Sequence, residues 1–95
     1  MAVSRLAPYA FHVHAKDWIV HEFDEDFASG YHTRGCRRLV GTSVGDGDMP
    51  IKRCLAILKK AGYDGYVSIE YEGADDCIEG IKRGIENLIS FGVEA

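Results

Sequence analysis

The sequence lacks any apolar run approaching the ~20 residues of a membrane-spanning helix, and its opening MAVSRLAPYAF lacks the apolar core of a signal peptide. It has three cysteines, Cys36, Cys54 and Cys77, and no CxxC pair. An odd count without that spacing excludes a zinc ribbon and argues against a disulfide scaffold. Reduced thiols and the missing leader predict a cytoplasmic protein with no membrane partner. The chain also lacks a basic excess. Its net charge is −4, and it has no basic stripe of the kind that binds a phosphate backbone, so no nucleic-acid partner is expected.

What is present is ordinary globular composition, with 46% hydrophobic and 27% charged residues. A length of 95 residues allows one small domain, here residues 1–95. Aromatic and β-branched residues with alternating polarity predict a strand over Tyr9–Lys16. Tyr9, Phe11, Val13 and Ala15 share one face; His12, His14 and Lys16 share the other. Residues 17–49 read as one long connection, with a short helical stretch expected at Asp24–Ser29 and the rest a functional or mobile loop. Asp17 reads as a cap for it. Asp48–Ala61 is predicted helical, with Asp48 as N-cap, Pro50 in the first turn and an apolar face of Ile51, Cys54, Leu55, Leu58 and Ala61. A second strand is predicted over Tyr66–Glu72, with Ser68, Glu70 and Glu72 opposite Val67, Ile69 and Tyr71. A second helix, Asp75–Phe91, has a stripe of Ile78, Ile81, Ile85, Leu88 and Ile89. Gly62 and Gly92 end the two helices.

The order β-loop-α-β-α implies a parallel sheet with right-handed crossovers. Two parallel strands and two helices do not close a core. One face of the strands packs on the helices, and the polar face and both edges are left open. In a parallel barrel that polar face points into the lumen, and the C-terminal strand ends build the site. Histidine nitrogen and glutamate oxygen suit a borderline divalent ion, and a nearby lysine suits an oxyanion or phosphate. From spacing alone this metal signal is weak, and a plain solvated strand face is the better fit. Arg34, Arg37 and Arg38 fit either a phosphate contact or a solvated loop. Cys54 and Cys77 read as buried or half-buried small residues, and Trp18 as packing.

Three motifs carry a resemblance: His12-Val13-His14-Ala15-Lys16-Asp17, then Val44-Gly45-Asp46-Gly47-Asp48, then Ala61 to Gly73 with Ser68-Ile69-Glu70-Tyr71-Glu72. In this order they resemble the last two βα units of the xylose isomerase-like sugar phosphate isomerase/epimerase family, a superfamily that includes endonuclease IV-like barrels. The resemblance implies a partial TIM barrel, the C-terminal quarter of a (β/α)8 fold. It implies His14 and Glu70 as metal ligands and Glu70 as a proton shuttle, with Glu72 as second choice. Lys16 and His12 are implied to face a sugar or sugar phosphate. The ion would be Zn, Mn, Co or Mg, and the chemistry metal-assisted proton transfer next to a carbonyl.

The family's other ligands lie on strands that these motifs do not include. One reading is therefore completion by oligomerisation, for example a two-fold dimer that pools two copies each of His14 and Glu70. The alternative is a non-catalytic oligomeric barrel fragment or a small metal-binding module.

Overall fold

A computed structural model describes residues 2–21, 31–32 and 37–94. Its elements in chain order are α1 (Ala2–Leu6), β1 (Val13–Ala15), β2 (Asp17–His21), β3 (Tyr31–His32), β4 (Arg38–Thr42), α2 (Ile51–Lys60), β5 (Val67–Ile69) and α3 (Cys77–Ser90). Helices and strands mix, and β1 and β5 form a parallel pair with Val13 opposite Val67 and Ala15 opposite Ile69. This is the arrangement expected of a partial α/β barrel. It sets the site, because parallel strands carry their side chains in matching alternation.

The first strand is shorter than the alternation over Tyr9–Lys16 predicts. Pro8 fixes a backbone angle suited to a tight turn, and Ala7–Tyr9 form a 3-10 turn before β1 begins. The second strand likewise shrinks from Tyr66–Glu72 to Val67–Ile69. Tyr71 leaves the ladder and turns its ring onto Gly80 of α3.

The largest correction concerns residues 17–49. They are not one loop. Asp17–His21 pairs antiparallel with Arg38–Thr42, and β4 also pairs with β3, giving a sheet of order β2-β4-β3. The β-branched and aromatic run Trp18-Ile19-Val20 favours a strand, but it was masked by the acidic residues that follow. Asp24–Ser29, Arg34 and Cys36 lie outside the described residues.

The helix α2 starts at Ile51, with Pro50 rather than Asp48 at its N-cap. Asp48 instead accepts the Val20 N–H at 2.7 Å, tying the loop before α2 to β2. α3 is capped by Asp76, which accepts the Glu79 N–H. Both helices end on glycines in the left-handed region, Gly62 (φ 89°) and Gly92 (φ 100°), which only glycine adopts without cost.

The core is small: Ala15, Val44 and Leu88, flanked by Ile51, Leu55, Val67, Ile69, Phe91 and Val93. α2 buries Leu58 and half-buries Ile51, Cys54 and Leu55, while Ala61 is exposed. α3 departs further from its predicted face. Of the apolar stripe only Leu88 is buried; Ile78, Ile81, Ile85 and Ile89 are 38–60% exposed. The residues that meet the sheet are Gly80, Gly84 and Leu88. The glycines permit a close approach, since a Cβ on Gly80 would lie 2.5 Å from the Tyr71 ring. Cys77 is exposed rather than half-buried.

Candidate functional site

The polar faces of β1 and β5 lie side by side, as the alternation predicts. His12 Nε2 is 2.9 Å from Ser68 Oγ, His14 Nδ1 is 2.5 Å from Glu70 Oε1, and Lys16 Nζ donates to Glu72 Oε1 at 2.6 Å. Each rung leans two residues further along β5 than the strand register, which sets His14 opposite Ser68. Lys16 also lies 3.7 Å from Glu70 Oε2, so one ammonium spans both carboxylates. It sits 5.0 Å from the centre of the Trp18 ring as well, a cation–π distance.

His12, His14, Lys16 and Glu70 therefore form one row with Glu72. His14 and Glu70 remain 58% and 43% exposed on the open side of the sheet, while Lys16 is the more covered at 27%. His12 and His14 also meet ring edge to ring face, centroids 4.9 Å apart.

Below this row lies an element that the sequence reading undervalued. Asp17 is 1% exposed, and its carboxylate accepts four backbone N–H groups. Oδ1 takes those of Trp18 and Met49; Oδ2 takes those of Gly45 and Gly47. A buried carboxylate is tolerated only when so satisfied. Asp17 follows Lys16 directly, so it fixes the end of β1 against the loop that lines the site. Gly47 is required here, because a Cβ at that position would strike the Asp17 carboxylate. The signal was available in the coincidence of an acid after a strand and the glycine-rich Val44–Asp48 segment. It read only as a local cap because the partners are some thirty residues away.

The same loop is clamped on its other side. Arg83 Nε donates to Asp46 Oδ2, and Asn87 Nδ2 donates to Val44 O at 2.9 Å and to Asp46 Oδ1 at 3.0 Å. The bond from Arg83, with help from Asn87, holds the Asp46 carboxyl below its ordinary value, and Asp46 in turn raises Arg83. Ser43 donates to Gly80 O at 2.8 Å from a buried position.

A family model described as a xylose isomerase-like TIM barrel matches residues 2–91. The chain belongs to that family. No curated protein and no solved structure matches it. The match spans α1 through α3, and the parallel β1–β5 pair is consistent with part of such a barrel.

His14 and Glu70 have donor atoms suited to a divalent ion in such a barrel. They do not make a complete metal site by themselves. They are bonded to each other, and among the described residues no group of three or more His, Cys, Asp or Glu converges on one point. A tight site needs three or four protein ligands. Arg37 and Arg38 lie at the start of β4 and not in the His14–Glu70 row. No helix among the described residues is long and apolar enough to cross a membrane.

Proposed function

We propose that this chain contributes the proton-transfer half of a sugar or sugar phosphate isomerase/epimerase site. The observation that carries the proposal is the contact of His14 with Glu70, with Lys16 held between Glu70 and Glu72. Glu70 is the acid–base group: its carboxylate takes the proton from the carbon next to a substrate carbonyl. His14, bonded to Oε1, orients that carboxylate. The ammonium of Lys16 offsets the negative charge that develops on the substrate oxygen. His12, held by Ser68, faces the same lumen and binds a substrate hydroxyl. Membership of a xylose isomerase-like family supports the substrate class, and in a parallel barrel the strand ends are where a site is built.

A divalent ion, Zn, Mn, Co or Mg, would need at least one ligand beyond His14 and Glu70, from other strands or other copies of the chain. In this role the protein acts in the cytoplasm, with a small sugar or sugar phosphate as its partner.

The test is hydrogen exchange. A panel of ketoses and ketose phosphates is incubated with the protein in D2O, with and without Mn²⁺ or Zn²⁺, and deuterium next to the carbonyl is read by NMR. Incorporation that disappears in Glu70→Gln supports the proposal. A panel that shows no exchange under either condition rejects it, and metal uptake without exchange assigns the row to a metal-binding module instead.

A further inference from the structure

Charge around the polar row is unbalanced. Its one lysine, Lys16, already spans Glu70 and Glu72 and lies against the Trp18 ring. With the histidines neutral, the lysine and the two carboxylates leave negative charge in excess. The chain then continues acidic. Glu70, Glu72, Asp75, Asp76 and Glu79 fall in the stretch 70–79, which holds no lysine, arginine or histidine.

A phosphate group is ordinarily received by a helix N-terminus or by guanidinium forks. The helix that follows β5 is closed to it. Asp76 takes the Glu79 N–H with its side chain and the Gly80 N–H with its carbonyl. The Asp75 N–H is given to the Tyr71 hydroxyl at 3.2 Å. Asp75, Asp76 and Glu79 add negative charge where a phosphate needs positive. Nor do the arginines of β4 stand on the same side as the row's aromatic neighbour. Trp18 pairs with Gly41 and His21 with Arg38, so alternation sets Arg38 on the face of that sheet opposite Trp18. Arg37 and Arg38 already have interactions of their own.

The same groups suit an uncharged sugar. Carboxylate oxygens accept hydrogen bonds from hydroxyls, and an aromatic ring offers apolar area to the C–H groups of a sugar. Trp18 is half-buried, and its strand partner Gly41 has no side chain to cover the ring from that position. Gly41 lies so close to β5 that a Cβ there would sit 2.5 Å from the Glu72 carbonyl oxygen. Trp18, Lys16 and the end of β5 are thereby brought to one place. We infer that the site takes an uncharged ketose in preference to its phosphate ester, with Trp18 contacting the sugar and the acids of 70–79 repelling the ester. The inference rests on the sugar site proposed above and narrows its substrate; its readout is binding and not turnover.

NMR titration of the isotope-labelled chain tests it, with Mg²⁺ present throughout. The probes are fructose and xylulose, each beside its own phosphate ester, and inorganic phosphate. A free ketose should move the signals of Lys16, Glu72 and the Trp18 indole. It should bind at least about tenfold more tightly than its ester, because bringing like charges together at a site is costly. Inorganic phosphate should leave the amides of residues 77–79 in place. Asp75→Asn with Asp76→Asn keeps a side chain able to cap α3 and removes two charges; it should tighten the ester and leave the free ketose unchanged. Trp18→Ala should weaken the ketose, and Trp18→Phe should recover most of the loss. An ester bound as tightly as the free ketose overturns the inference. So does inorganic phosphate seated on residues 77–79, a panel in which no ketose moves these signals, or wild-type binding by either the double variant or Trp18→Ala. Preferential ketose binding without deuterium exchange would sink the proton-transfer reading of Glu70 and leave this inference standing.

Discussion

His14 Nδ1 lies 2.5 Å from Glu70 Oε1 across two parallel strands, yet both side chains are largely open to solvent. Exposed ion pairs contribute little to stability, about 0–1 kcal/mol. The contact therefore matters for geometry more than for folding. His14→Ala and Glu70→Gln should each shift the urea midpoint by an amount corresponding to less than about 1 kcal/mol. Both should abolish any exchange activity. A large loss of stability in either variant would show that the row is a packing element.

Asp17 should behave in the opposite way. Its carboxylate is buried and is the acceptor for four backbone N–H groups from β2 and the 45–49 loop. Asp17→Ala leaves those donors without an acceptor, at a cost of about 3–5 kcal/mol by analogy with breaking a buried charged network. That is a large share of the stability of a domain this small. Urea denaturation reads the loss directly. An Asp17→Ala variant within about 1 kcal/mol of wild type would remove Asp17 as the anchor of the loop.

The same contrast explains what could be read in advance. Period-two alternation located β1 and β5, and it set His12, His14, Lys16, Glu70 and Glu72 on one face, because side-chain direction in a strand follows from position alone. Glycine at Gly62 and Gly92 located the helix ends for the same local reason. Long-range choices were not legible. Ile78, Ile81, Ile85 and Ile89 form as good a helical stripe as any core face, but α3 buries Gly80, Gly84 and Leu88, since glycine at 80 lets the helix approach the Tyr71 ring and glycine at 84 lets it approach Ile69 and Val44. Asp48 had the chemistry of a helix cap and was taken by the Val20 N–H instead. The β2–β4 pairing joins segments separated by the acidic run, and local pattern does not identify a distant antiparallel partner.

The close packing of α3 yields a prediction against helix propensity. Alanine normally stabilises a helix over glycine by up to about 1 kcal/mol. At Gly80 the added methyl would sit 2.5 Å from the Tyr71 ring, so helix or ring must move. Overpacking of this kind costs about 1–3 kcal/mol. Gly80→Ala should lower the melting temperature, and Gly80→Ala combined with Tyr71→Leu should recover part of the loss. Stabilisation by Gly80→Ala alone would mean that α3 does not rest on the ring.

Acid should loosen the loop through Asp46. Arg83 bonds its carboxyl and, with Asn87, holds it below the ordinary 3.8. A carboxyl whose folded value is depressed contributes stability that is fully present above the unfolded value and is lost as pH falls through the folded one. The loss should therefore begin below about pH 4 and continue downward. In Arg83→Ala the Asp46 carboxyl should titrate closer to its ordinary value, and that segment of the stability curve should flatten. Carboxyl-carbon NMR of Asp46 with parallel urea midpoints from neutral to strongly acidic pH reads both effects. An Asp46 titration unchanged by Arg83→Ala would show that the guanidinium does not govern the loop, and the clamp would then rest on Asn87, whose amide bonds Val44 and Asp46 independently of charge.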